Sequence, residues 1–187
     1  MKYLIVGLGN IGSEYINTRH NIGFKILDAL ANASNISFQD HRLAYRAEYK
    51  FKGRTFILIK PTTFMNLSGK AVNYWLQKEK IHVDKMLVLV DDVALPFGAL
   101  RVRPKGADAG HNGLKDINLA LGHQNYSRLR FGIGNDYPRG SQAHYVLSPW
   151  DDAEKESLSP RIELAVEIIQ SFGIRGVANT MNEFNNR

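Results

Sequence analysis

The chain has 187 residues, 44% hydrophobic and 22% charged, a composition that fits a folded globular protein with a sizeable core. It has no cysteine, which excludes disulfides, thiolate metal sites and a cysteine nucleophile, and no apolar run approaches the roughly 18 residues needed to span a membrane. The formal charge of +6 permits a polyanionic partner such as nucleic acid, and it equally fits a basic surface that only aids solubility.

Lys2 to Val6 reads as a buried strand, followed at once by Gly7, Gly9 and Gly12 in the spelling G-x-G-x-x-G. The Met1-Lys2 start, with so short an apolar run behind it, does not fit a secretory leader, so a cytoplasmic location is the default expectation. A dinucleotide fingerprint needs strand, glycine turn, immediate helix, and a parallel strand ending in an acid about 20 residues on. Here helical spacing begins only near Ile22 and runs through Ile26, Leu27 and Leu30, with Asn17 or Thr18 as the expected cap. Asp28 lies at a suitable distance but inside that helix. The glycines therefore read as a sharp turn that lets something approach the backbone closely.

Leu43 to Phe51 and Arg54 to Lys60 read as two strands. Only Lys52-Gly53 separates them, the mark of a tight antiparallel hairpin where a dinucleotide fold would place a helix. Pro61 to Asn66 is a loop and Ser68 to Lys80 a helix. Met86 to Val90 is an uninterrupted apolar run closed by Asp91-Asp92, a central buried strand. A turn at Leu95 to Gly98 leads to a short strand, Ala99 to Arg103, and a glycine-rich loop, Lys105 to Asn112. Leu114 to Leu121 is a helix stopped by Gly122. Leu129 to Ile133 is a strand, Asp136 to Ser141 a loop, and Tyr145 to Leu147 fits no single element. Ser148 to Asp152, with its proline and acids, starts a long helix that Gly173 should end. Val177 to Phe184 fits a final short helix. Strands alternate with helices without repeats or a linker. The expectation is one domain over residues 1–187, a three-layer α/β/α sandwich with a mixed, mostly parallel twisted sheet.

Polar residues gather in loops at the expected strand ends: Asn10, His20, Asn21, Asn66, Asp91, His111 and Asn112. A histidine titrates near neutral pH and can take a proton from water, and a nearby carboxylate would hold its ring and stabilise the imidazolium. Asparagine amides both donate and accept, which suits a neutral carbonyl. Such a set could hydrolyse an acyl bond with neither a covalent intermediate nor a metal. Taken singly, each residue also has a plain reading: a loop asparagine as turn or cap, His20 as a surface or capping histidine, Asp91-Asp92 as a strand terminator or a Mg²⁺ ligand pair. G-x-S-x-G, H-E-x-x-H and G-x-x-x-x-G-K-[ST] are all absent.

In order along the chain stand Val6-Gly7-Leu8-Gly9-Asn10-Ile11-Gly12, Tyr15, Thr18-Arg19-His20-Asn21-Ile22-Gly23, Lys60 to Gly69, Asp91-Asp92 with Leu95-Pro96 and Gly98, Gly110 to Ile117, Arg128 to Gly134, and Tyr145 to Ser148. Together these strings resemble bacterial peptidyl-tRNA hydrolases over nearly the whole chain. The resemblance implies a cytoplasmic, monomeric enzyme without a cofactor or metal. It would cleave the ester between a peptide's carboxyl and the terminal ribose of tRNA, freeing the tRNA for translation. It implies His20 as general base, Asp91 as its partner, and Asn10 as the residue that separates blocked from free aminoacyl groups. Tyr15, Phe64, Asn66 and Asn112 would bind the tRNA end and the peptide backbone. A site that accepts the N–H of the peptide amide, with no counter-charge, would disfavour the ammonium of a free aminoacyl group. The glycines would then turn the chain so that Asn10 faces the ester, cradling the substrate end.

The sequence departs from the family pattern at Ala94, where an acid is usual, and at Asp108, which puts a negative charge near the presumed RNA path. Arg103, Lys105, Arg128 and Arg130 are the candidate phosphate contacts, and Arg101 shares a strand face with Arg103. Each equally fits a solvated charge. Three other readings differ in kind: a dinucleotide-dependent oxidoreductase, an RNA-binding protein without catalysis, and an amidohydrolase on N-acyl amino acids. His111 reads as a residue that shapes its loop.

Overall fold

A computed structural model describes residues 1–187. Seven strands form one sheet: β1 (Lys2–Gly7), β2 (Gln39–His41), β3 (Ala44–Phe51), β4 (Arg54–Pro61), β5 (Met86–Asp92), β6 (Leu100–Arg103) and β7 (Ser127–Gly132). Their spatial order is β2-β3-β4-β1-β5-β7-β6. The four central strands β4, β1, β5 and β7 run parallel, while β3 joins β4, β2 joins β3, and β6 joins β7 in antiparallel pairs. The β3–β4 hairpin turns through Lys52 and Gly53, at φ 48° and 79°, the left-handed pair a two-residue turn demands.

Five helices cover the sheet: α1 (Ile22–Ala33), α2 (Ser68–Lys78), α3 (Asn112–Leu121), α4 (Gln142–Val146) and α5 (Asp152–Phe184). Side chains alternate across each strand, so two cores form. Tyr3, Ile5, Leu87 and Leu89 point to the layer of α1 and α5. Leu4, Val6, Val88 and Val90 point to the layer of α2 and α3. Full burial of each such side chain is worth about 1.5–3 kcal/mol. The three layers and mixed sheet match the sequence expectation.

Some local expectations give way to geometry. Asn21, not Asn17 or Thr18, precedes the first turn of α1. Thr18 instead pairs with Pro149 in an antiparallel bridge. Gly173 does not end α5; the break falls at Gly176, whose φ 80° and ψ 170° only glycine adopts comfortably. Gly173 is small because the ring of Phe56 fills the place of a side chain. The segment around Tyr145 is the short helix α4. Asp151 caps α5 through a reciprocal capping box with Glu154.

The opening glycines serve α1. A β-carbon on Gly7 would sit 2.5 Å from the carbonyl oxygen of Gly23, and one on Gly9 would meet the ring of Phe24. Gly23 is equally bare, with the Leu8 amide nitrogen 2.5 Å from any added carbon. These glycines let the start of α1 press onto the loop after β1. Gly7 and Gly9 thus face that helix, while Gly12 makes the turn at φ 117° beside the Glu14 side chain; none of the three lines the cavity described below.

Candidate active site

The connections leaving β1 and β5 diverge to opposite layers, α1 on one face and α3 on the other. In open α/β sheets the crevice beyond the carboxyl ends of such neighbouring strands is the natural ligand site. A cavity of about 690 Å³ opens there. Asn10, His20, Met65, Asn66, Asp91, His111 and Asn112 line it, as do Asp92, Arg128 and Arg130.

Asp91 is the penultimate residue of β5, and its buried carboxylate serves two histidines. His20 Nδ1 lies 2.8 Å from Oδ2, and His111 Nε2 lies 2.8 Å from Oδ1. The imidazole rings are 4.9 Å apart. A lone buried carboxylate would be strongly destabilising, and two donors satisfy this one. Burial alone would raise the Asp91 pKa. The positive charges of His20 and His111 and their hydrogen bonds outweigh it and hold the carboxyl well below its usual range.

The tautomers follow from the network. Nδ1 of His111 accepts from the backbone N–H groups of Gly113 and Leu114, capping α3. Its proton is therefore on Nε2 and is donated to Asp91. His20 donates its Nδ1 proton to the same carboxylate, which leaves Nε2 as a free acceptor. Burial of His20 lowers its pKa, but the charge of Asp91 and the hydrogen bond to it prevail, and the net shift is upward.

Asn10 is fixed from both sides. The side chain of Asn21 accepts from the Asn10 N–H at 2.8 Å and donates to the Asn10 carbonyl at 2.9 Å. Asn10 Oδ1 accepts the backbone N–H of Met65 at 2.7 Å. A backbone N–H needs an oxygen, so this bond assigns the amide, and Nδ2 is the group left to offer. Asn10 thus presents a donor. Asn66 and Asn112 are exposed and line the cavity.

Tyr15 and Phe64 stand outside the cavity wall. Phe64 is 51% exposed, immediately before Met65 and Asn66, which do line it. Arg128 is corrected as a phosphate contact: it is 1% exposed, and its guanidinium donates to the carbonyls of Gly106, Gln124 and Tyr126. It staples the glycine loop to β7. Arg130 reaches the cavity but is paired with Asp92. Arg103 is half-buried and Lys105 exposed, and neither lines the cavity. Across the β6–β7 pair Arg101 faces Arg130 and Arg103 faces Arg128. Like charges placed opposite one another are unfavourable unless an anion relieves them.

Asp92 also accepts from the Ala94 N–H, so Asp91 and Asp92 have separate partners and do not converge on one ion. His20, Asp91 and His111 are the one group whose ligand atoms, within 4.8 Å of one another, could gather around a metal. Those atoms are already matched donor to acceptor, and a metal would displace both hydrogen bonds. Asp108 shapes its loop: its carboxylate accepts from the Gly110 N–H, where Ala109 and Gly110 are both left-handed. Sequence reasoning missed the wall formed by Gln142, Ala143, Val146 and Leu147 on and beside α4. It also gave no role to Arg19, although that residue stands inside the string around His20.

The sequence model of the family described as peptidyl-tRNA hydrolase matches residues 4–187. The chain is 59% identical to the peptidyl-tRNA hydrolase of Bacteroides fragilis over 187 residues, the full length of both. It is 57% identical to that of Phocaeicola vulgatus, again over the full length of both. Among solved structures it superposes on the peptidyl-tRNA hydrolase of Acinetobacter baumannii with a TM-score of 0.92 and 31% identity, covering 98% of this chain and 94% of the other.

Proposed function

The chain belongs to the peptidyl-tRNA hydrolase family, and from that premise we propose how its residues divide the work. The reaction is hydrolysis of the ester joining a peptide to the terminal ribose of tRNA. The observation that carries the reading is the His20–Asp91 pair, with one histidine nitrogen anchored and the other free in a cavity. His20 Nε2 takes a proton from water, and the nascent hydroxide attacks the ester carbon. Asp91 stabilises the imidazolium that forms. Asn10 Nδ2 donates to the oxygen that gains charge, a contribution worth about 100- to 1000-fold where such a donor is preorganised. As the carbon–oxygen ester bond breaks, His20 returns the proton to the departing ribose oxygen. Peptide acid and tRNA leave, and the base is regenerated.

Recognition follows from what substrates share. Peptide side chains vary, so Asn66 and Asn112 pair with the main chain. Tyr15 and Phe64 contact the ribose or stack on the terminal adenine. Arg103, Lys105 and the Asp92-paired Arg130 meet acceptor-stem phosphates. A free aminoacyl group brings an ammonium, which has only donors to offer the Asn10 amide and is a second cation beside the forming imidazolium. The enzyme acts as a monomer in the cytoplasm, in the service of translation.

The test compares one tRNA charged with an N-acetylated and with a free amino acid, in chelator-treated buffer. Rapid loss of only the acetylated ester is expected. Equal rates on both would overturn the selectivity, and no cleavage by folded enzyme would overturn the assigned reaction.

A further inference from the structure

Four residues of one cavity wall, Gln142, Ala143, Val146 and Leu147, come from α4 and its C-terminal end. This helix has five residues and none of them is buried. Only Tyr145 and Val146 pack against the core, each partly buried, so a few discrete contacts must complete its placement.

Those contacts converge on Arg19, the residue before His20. Its guanidinium is buried and donates from Nη2 to Glu154 Oε1 at 2.8 Å and from Nη1 to the Tyr145 carbonyl at 3.3 Å. It also lies 4.1 Å from the centre of the Tyr145 ring, within cation–π range. Its backbone N–H donates to the carbonyl of Ser148, and Thr18 bridges to Pro149. Glu154 is in turn fixed by the cap of α5, and the Tyr145 hydroxyl donates to the carbonyl of Ile133 at 2.6 Å. The turn that carries the general base, the α4 wall and the start of α5 are thereby joined through one side chain.

We propose that Arg19 is a positioning residue that sets the distance between the α4 wall and His20, and so governs how tightly the cavity holds the acylated tRNA end. The assignment rests on the reading of this cavity as the substrate site. Arginine suits the task because its planar fork donates in two directions while its face lies against a ring. A lysine keeps the charge beside Glu154 and loses the second nitrogen, which reaches the Tyr145 carbonyl, and the flat face. No atom of Arg19 takes part in the chemistry, so its loss acts on binding more than on turnover.

The experiment measures kcat and KM for N-acetyl-aminoacyl-tRNA with wild type, Arg19→Lys and Tyr145→Leu. Tyr145→Leu removes the ring from the partly exposed side of the contact and leaves Arg19–Glu154 in place. The expected result is a KM raised about five- to twentyfold in either variant, with kcat within about threefold of wild type. The double variant is expected to fall well short of the product of the two single effects, because both break the contact between the Arg19 guanidinium and the Tyr145 ring. A merely structural role would lower kcat in proportion to the folded fraction and leave KM unmoved, and that outcome overturns the proposal. Should Arg19→Lys not fold, an unchanged KM in Tyr145→Leu overturns it alone. A wild type that does not cleave the substrate overturns the cavity assignment and the strut with it; a cleaving wild type with unmoved KM in the variants overturns only the strut.

Discussion

An Asp91→Asn enzyme is expected to hydrolyse N-acetyl-aminoacyl-tRNA about 100- to 10,000-fold more slowly than wild type, the range over which a positioned base contributes. The loss follows from counting donors. The carboxylate accepts one hydrogen bond from His20 Nδ1 and one from His111 Nε2. A carboxamide has one oxygen, so it can accept from only one histidine and must donate toward the other. His111 is held in its tautomer by the Gly113 and Leu114 N–H groups. The amide oxygen therefore turns to His111 and the amide nitrogen to His20. His20 Nδ1 becomes an acceptor, and the ring's proton moves to Nε2, the atom that should receive it from water. The checks are kcat, thermal unfolding to confirm the fold, and the nitrogen chemical shifts of His20. A near-native rate in a folded variant would contradict the role of Asp91.

The pH dependence supplies the second large effect. The base must be neutral to act, and the His20 pKa lies above its ordinary 6.5 because Asp91 outweighs burial. kcat/KM is expected to fall about tenfold per pH unit below that raised value and to level off above it. In Asp91→Asn the counter-charge is gone and burial remains, so any residual activity should show its acid limb at lower pH. Stability runs the other way. A raised histidine pKa gives stability that is complete below about 6.5 and is lost as pH rises through the folded value. The lowered Asp91 pKa gives stability present above its ordinary 3.8 and lost as pH falls through the folded value. The pair thus stabilises the fold most in mildly acidic solution, where His20 is protonated and idle. Urea unfolding at pH 5.5 and pH 8.5 checks this: the advantage of wild type over His20→Ala should be larger at pH 5.5.

Much of the site was legible because chemistry and position coincide in the sequence. The apolar run Met86 to Val90 could only be a central strand, so Asp91 had to emerge at its end. The Lys52-Gly53 turn by itself rules against a dinucleotide fold, and α1 begins at Ile22 as its period requires. What escaped was set by contacts between distant segments. Gly7 and Gly9 are bare because of Gly23 and Phe24, and no spacing shows that packing. Asn10 faces the cavity with its nitrogen because the Met65 N–H, 55 residues away, occupies its oxygen. Arg128 belongs to an arginine-rich strand that reads as a basic surface, yet it is buried and bonded to the carbonyls of Gly106 in the glycine loop and of Gln124 and Tyr126 in the turn before β7. His111 was read as a loop-shaping residue; the structure gives it that role through α3 and adds a second bond to Asp91. The α4 wall has too few apolar residues for any periodicity to reveal it.

The most direct test of the central claim is chemical rescue of His20→Ala on N-acetyl-aminoacyl-tRNA. The alanine variant should bind the substrate with near-native affinity and cleave it about 100- to 10,000-fold more slowly. Added imidazole should restore part of the rate, rising with the concentration of its neutral form. Cleavage by His20→Ala at the wild-type rate would contradict His20 as the base.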